Sequence, residues 1–128
     1  MKFLMTLVAG LFVAGTAIAG LEIIYIDGAD SIQQVRETPA FKKQHITTKL
    51  PVDYWSLIAA VHSDAETFQC EDDDIKKIKV VSPSGYVFYM IYTMEDYCDG
   101  GNTLGILLDS QFTAIGEIHD GAFYKNIK

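Results

Sequence analysis

The chain has 128 residues, with 10 Lys and Arg against 17 Asp and Glu, so its formal net charge at pH 7 is −7. This balance argues against nucleic-acid binding and against adhesion to anionic membranes, because both depend on clusters of Lys and Arg. It favours a basic protein partner, cations or simple solubility. Motifs for phosphate or dinucleotide binding are absent from the sequence, so no cofactor is predicted.

Residues 1–19 have the pattern of a secretory signal peptide. Lys2 precedes an apolar stretch, and Ala17-Ile18-Ala19 forms a small-x-small cleavage site before Gly20. We therefore expect an exported mature chain of residues 20–128, periplasmic or secreted. It should form a single domain with no membrane segment of its own.

The mature chain begins with a predicted strand and helix. Residues 21–26 favour a strand, which the turn residues Asp27 and Gly28 would end. Asp30 is a candidate helix N-cap, and Gln33 stands at the position of its capping-box partner.

Two further helices are predicted before the central part of the chain. Thr38 can cap a short helix that has Pro39 in its first position and extends to residue 45. In residues 51–61, Asp53 can cap a helix whose apolar residues recur at helical spacing. A buried strand is the alternative for this second segment, and the helix is favoured.

Residues 75–81 and 86–94 predict a β-hairpin around the turn Ser82-Pro83-Ser84-Gly85. Pro83 suits the first central position of a type I turn, and Gly85 suits the left-handed bulge position that follows. This turn sets a register in which paired residue numbers sum to 168. Phe88 and its even-numbered neighbours should then face the core, whereas Tyr89 should lie on a mixed face that tolerates water.

The same register places Cys70 opposite Cys98, at a separation that a disulfide can span. Residues 103–108, 113–118 and 122–127 predict further strands. The predicted fold class is therefore α+β, with N-terminal helices packed on one face of a four- to five-stranded antiparallel meander and one disulfide. A cystatin-like or nuclear-transport-factor-like curved sheet is compatible with this order.

Acidic residues are concentrated at the base of the predicted hairpin. They suggest a docking face for a basic protein, with a solvated acidic edge as the alternative. Calcium binding is a weaker alternative, with Asp72, Asp74, Asp96 and Asp99 as candidates, because the spacing matches no EF-hand and no metal site is predicted. The seven carboxylates are those of Glu71, Asp72, Asp73, Asp74, Glu95, Asp96 and Asp99.

Exposed tyrosines beside acidic residues are typical of binding surfaces, because they add contact area at low entropic cost. In the hairpin, Tyr86 and Tyr89 are the best candidates for exposure. The predicted partner-binding residues are Ser84, Gly85, Tyr86, Tyr89, Glu95, Asp96, Tyr97 and Asp99.

Catalytic residues are not predicted. His45, His62 and His119 show no metal-ligand spacing, and both cysteines are expected to be oxidised. His119 with Asp120 is the one candidate general acid–base pair, although a surface or capping role is the favoured interpretation.

The Ser84-Gly85-Tyr86 segment resembles the hairpin loop that bacterial lysozyme inhibitors present to the cleft of their enzyme, with Tyr89 one position beyond the usual spacing. The resemblance implies an exported, acidic binding protein. We expect an inhibitor or immunity-type partner of a basic, cell-wall-degrading enzyme. The alternatives are a small-ligand or cation-binding envelope protein, and an enzyme on a curved-sheet scaffold.

Overall fold

The computed structural model describes residues 21–61, 75–93 and 103–126. These residues form seven antiparallel strands and two short helices. The helices are α1 (Ile32–Glu37) and α2 (Tyr54–Val61). The strands are β1 (Leu21–Ile23), β2 (Lys42–His45), β3 (Ile75–Val81), β4 (Val87–Thr93), β5 (Leu104–Asp109), β6 (Ala114–His119) and β7 (Ala122–Asn126).

All seven strands belong to one sheet with the order β1-β7-β6-β5-β4-β3-β2. From β3 to β7 the chain is a simple meander, in which each strand pairs with the next. The two strands nearest the N-terminus are added at the edges, β1 beside β7 and β2 beside β3.

The sheet is buried on both faces, and each helix covers one of them. We call these the α1 face and the α2 face. Alternate residues of a strand point to opposite faces, so the two core clusters separate by residue parity along β4. The α1 face packs Ile32 and Val35 against Ile78, Val80, Phe88, Met90 and Tyr92. The α2 face packs Tyr54 and Ile58 against Ile75, Tyr89, Ile91, Ile106 and Leu108.

The predicted fold class is therefore wrong in two respects. The sheet has seven strands instead of four or five, and the helices lie on opposite faces instead of sharing one. The reason is the composition of β4, in which Tyr89 and Ile91 are as apolar as Phe88 and Met90. A strand that is apolar on both faces needs cover on both, and α2 provides the second cover.

The predicted second short helix, from Thr38 to residue 45, is also wrong. Lys42–His45 is an exposed edge strand that pairs with β3. The Lys43 ammonium donates hydrogen bonds to the carbonyl oxygens of Val35 (3.0 Å) and Thr38 (3.3 Å) at the end of α1. Backbone pairing and this lysine, instead of an apolar pattern, hold the segment in place.

At the start of α1 the predicted cap is displaced by one residue. Ser31, not Asp30, is the N-cap, and its hydroxyl accepts a hydrogen bond from the Gln34 backbone N–H at 3.1 Å. The Gln34 side-chain oxygen accepts from the Asp30 N–H at 2.8 Å. The N-cap is therefore Ser31, and Gln34 bonds back to the residue before the N-cap instead of to the N-cap N–H of a capping box.

The hairpin register is confirmed at every pair, from Ile75 opposite Thr93 to Val81 opposite Val87. The turn is also as predicted, because Gly85 has φ +93° and its N–H donates to the Ser82 carbonyl at 2.9 Å. Helix α2 confirms the helical alternative for residues 51–61.

Some predictions fall on residues that the structure does not describe. Cys70 and Cys98 lie outside the described ranges, and no disulfide is present within these ranges. The signal peptide, residues 1–19, also lies outside them. Neither described helix has the length and apolar character needed to cross a bilayer.

Candidate functional site: a braced tyrosine loop

The β3–β4 loop, residues 82–86, is held by hydrogen bonds from two directions. The Ser82 hydroxyl accepts from the Tyr86 backbone N–H at 3.1 Å. The Asp27 carboxylate accepts from the Ser84 N–H at 3.0 Å and from the Ser84 hydroxyl at 2.7 Å. We call residues 82–86 the tyrosine loop. Its conformation is set both by its own turn and by a residue 57 positions away in the sequence.

Asp27 lies at the tip of a short loop, residues 25–29, and its carboxylate contacts the tyrosine loop. Ile24 and Asp30 both hydrogen-bond the backbone of Phe123 in β7, and residues 25–29 project beyond that strand. Ile26 pairs with Ala29, and both are buried on the α1 face. This burial fixes the tip at Asp27.

The hydroxyls of Ser82 and Ser84, and the Ser84 N–H, lower the pKa of Asp27 because they stabilise its charged form. Asp27 is fully exposed. The brace therefore consists of a carboxylate that stays ionised well into the acid range.

Two tyrosines are exposed, each two residues along the chain from a member of this brace. Tyr86 is 42% exposed and Tyr25 is 64% exposed, and these are the exposed large apolar side chains of the described residues. The Tyr86 ring stacks on the Phe88 ring, with centroids 6.0 Å apart, and this contact restricts the orientation of the Tyr86 side chain. We call Tyr25, Asp27, Ser84, Gly85 and Tyr86 the tyrosine surface.

Tyr89 does not belong to this surface, and its predicted exposure is wrong. It is 9% exposed and lies on the α2 face, where its ring packs 4.8 Å from that of Phe112. The register placed Tyr89 on the correct face, but α2 covers that face. Tyr86, in contrast, is exposed as predicted.

The tyrosine loop lies at the opposite end of the hairpin from the points where the acidic parts of the chain are attached. The hairpin has seven paired positions, which span roughly 20 Å at the usual rise per residue. Because Ile75 lies opposite Thr93, the segments that precede and follow them are attached at the end remote from Tyr86. Six predicted partner or metal residues lie in these segments, outside the described ranges: Asp72, Asp74, Glu95, Asp96, Tyr97 and Asp99.

The excess negative charge resides in these same two segments. Residues 62–74 and 94–102 contain nine of the 17 Asp and Glu and no Lys or Arg. Both segments join the sheet at the Ile75 and Thr93 end of the hairpin. The acidic character of the protein is therefore localised along the sequence and attached at one end of the sheet.

The hypothesised His119–Asp120 pair is replaced by a different one. His119 Nε2 lies 2.7 Å from the Glu117 carboxylate, and its ring meets Tyr124 edge-on at 5.5 Å. Glu117 is buried, whereas Asp120 is exposed in the β6–β7 turn. Residues two apart on a strand point to the same face, so the spacing of Glu117 and His119 could have predicted this pair, and we did not predict it.

A metal site is not present in the described part of the chain, where no group of three or more His, Cys, Asp and Glu residues is arranged to hold an ion. A cleft of about 720 Å³ lies between α1 and the sheet. We call it the α1 cleft. Sequence reasoning did not find it, because its residues come from α1, β3, β4 and the β6–β7 turn. It is lined by Ser31, Ile32, Gln33, Arg36, Glu37, Lys76, Tyr92, Thr103, Asp120, Gly121 and Ala122.

Comparisons of this chain with protein-family models, with curated proteins and with solved structures found no match. The function is therefore inferred from the chain's own residues.

Proposed function

We propose that this protein is an exported, acidic binding protein that inhibits, or confers immunity against, a basic cell-wall-degrading enzyme. The observation that carries the proposal is the braced tyrosine loop, in which Ser84, Gly85 and the exposed Tyr86 are held by Asp27. Export rests on the signal-peptide pattern of residues 1–19.

The brace favours tight binding because the loop is ordered before the partner arrives. Ordering a flexible loop on binding costs free energy, which a preorganised loop avoids. A tyrosine side chain adds a large contact area with few rotatable bonds, so Tyr86 and Tyr25 suit the centre of an interface. Ser84 and Gly85 leave the tip of the loop narrow enough to enter a cleft.

The charge distribution favours a basic partner. Nine carboxylates stand in two stretches of sequence without Lys or Arg, so these stretches carry a strong negative charge and set up a negative field. Such a field accelerates the approach of a cationic protein and disfavours acidic ones. The tyrosine surface would then provide short-range contacts, and the acidic segments would provide long-range attraction.

The test is titration calorimetry of the mature protein against a panel of basic peptidoglycan hydrolases, together with assays of their activity on cell walls. We expect binding and inhibition of at least one member. The Tyr86→Ala variant should weaken that binding at least about tenfold, which is the effect of losing an aromatic anchor.

Gln44→Ala provides the matched control, because Gln44 is an exposed residue of the edge strand β2. This variant should bind as the wild type does. An absence of binding across the panel at low ionic strength would contradict the proposal. Equal affinity of the wild type and Tyr86→Ala for the enzyme would show that the tyrosine loop does not contribute to binding.

A further inference from the structure

The α1 cleft contains two cationic side chains that are unpaired within the described part of the chain. Arg36 lies one helical turn after Ile32, so both residues of α1 face the cleft. Lys76 pairs across the hairpin with Tyr92 and reaches the cleft from the sheet. Among the described residues, neither the Arg36 nor the Lys76 side chain is hydrogen-bonded or ion-paired.

Tyr92 lines the cleft from the sheet, but its hydroxyl is enclosed and makes no contact with a ligand there. The residue is 4% exposed, and its hydroxyl has no hydrogen-bond partner within the described parts of the chain. The burial raises the pKa of Tyr92, although the nearby Arg36 charge opposes this, so the hydroxyl stays protonated at neutral pH.

The carboxylates of the cleft limit the charge of a ligand. Glu37 accepts a hydrogen bond from the Gln33 side chain at 2.9 Å, and Asp120 stands in the exposed β6–β7 turn. Two acids beside two bases disfavour a multiply charged anion such as phosphate. They allow a single carboxylate, whose planar oxygens suit an arginine. Ile32 and Ala122 provide an apolar wall for a short carbon chain.

We infer that the α1 cleft binds a small organic carboxylate through Arg36 and Lys76. This site is separate from the tyrosine surface, and it goes beyond the proposed function because it needs no protein partner. An accompanying amino group on the ligand would meet Glu37 and Asp120.

The experiment titrates the ¹⁵N-labelled mature protein with propionate, alanine, propylamine and inorganic phosphate, and follows the backbone amide signals by NMR. We expect propionate, alanine or both to shift the signals of Gln33, Arg36 and Gly121 saturably. A Kd on the order of 1 mM suits ligands with so few atoms.

Variants assign the contacts. Arg36→Gln should weaken carboxylate binding at least about tenfold. Lys42→Gln removes the same charge at the other end of β3, opposite Val81, and should leave binding unchanged.

Three results would overturn the inference. The first is no saturable shift with either carboxylate, and the second is binding of propylamine or phosphate alone. The third is carboxylate binding that Arg36→Gln and Lys42→Gln weaken equally, which would indicate a general charge effect.

Discussion

At the scale of single residues, the hairpin tyrosines differ by what covers them. Tyr86 stands in the turn and remains exposed, whereas Tyr89 lies beneath the α2 cover and against Phe112. Tyr92 lies on the other face, beside α1, with its hydroxyl unpaired among the described residues. Three aromatic residues on one strand and its turn therefore have three different roles.

The first prediction concerns Tyr89. Because both Tyr89 and Phe88 are buried, Tyr89→Ala and Phe88→Ala should each lower the free energy of unfolding by roughly 3–5 kcal/mol. Tyr86→Ala, the exposed control, should cost about 1 kcal/mol or less. Urea denaturation of the three variants measures this. A Tyr89→Ala variant as stable as Tyr86→Ala would show that the α2 cover is misplaced.

The second prediction concerns Tyr92 at alkaline pH. Its pKa is raised in the folded protein above the ordinary value of 10.0, so the folded state holds the proton more tightly than the unfolded state. Its contribution to stability is fully present below pH 10 and is lost as the pH rises through the folded pKa.

Tyr92→Phe should therefore unfold with a weaker dependence on pH above pH 10, as measured by urea denaturation at several pH values. At neutral pH it should be at least as stable as the wild type, because the hydroxyl it lacks has no partner in the described residues. Identical alkaline slopes in the two proteins would contradict this account.

At the scale of elements, α2 covers the face of the sheet that α1 leaves open. Its start is fixed by Asp53, whose carboxylate accepts hydrogen bonds from the Ser56 hydroxyl at 2.7 Å and the Ser56 N–H at 3.2 Å. These two bonds lower the pKa of Asp53, helped slightly by the Lys49 charge. Helix α2 is short, so its cap has a large share in its stability.

The third prediction is that Asp53→Ala lowers the melting temperature by a few degrees at pH 7, measured by circular dichroism. The depressed pKa means that this stabilisation is present above pH 3.8 and is lost as the pH falls through the folded value. The difference between variant and wild type should therefore shrink in acid. Asp30→Ala is the control, because the cap of α1 is Ser31. A larger loss in Asp30→Ala than in Asp53→Ala would contradict the assignment.

At the scale of the whole molecule, the tyrosine loop and the points where the acidic segments are attached lie at opposite ends of the hairpin. The tyrosine loop closes one end of the hairpin, and the acidic segments are attached at the other, roughly 20 Å away. Long-range attraction acts mainly on association rates, whereas close contacts act mainly on dissociation rates.

The fourth prediction rests on the proposed function and separates these two contributions. Neutralising Asp72, Asp73 and Asp74 together to Asn should slow association with the basic enzyme up to about tenfold at low salt, and should flatten its salt dependence. Tyr86→Ala should instead speed dissociation. Surface plasmon resonance at two ionic strengths measures both rates, with Glu22→Gln on β1 as a control. If Tyr86→Ala alone slowed association, the association rate would depend on the tyrosine loop and not on the acidic segments.

Local chemistry made the hairpin and α2 predictable. Pro83 and Gly85 specify a turn whose geometry sets the register of both strands, and that register is present at every pair. The N-cap at Asp53 was predictable for the same reason, because its hydrogen-bond partner Ser56 lies only three residues away in the sequence. The exposure of Tyr86 follows from its place in the turn.

Only the tertiary structure decided the rest, because it depends on contacts between residues far apart in the chain. Residues 42–45 carry no apolar pattern and become a strand through the free edge of β3. Tyr89 is buried because α2 packs on its face, and the tyrosine loop is braced because burial of Ile26 and Ala29 fixes Asp27. The amino-acid sequence by itself determined the hairpin turn, its register and the cap of α2, which are short-range. Which faces are covered, and which distant side chains meet in the α1 cleft, depends on how the whole sheet packs.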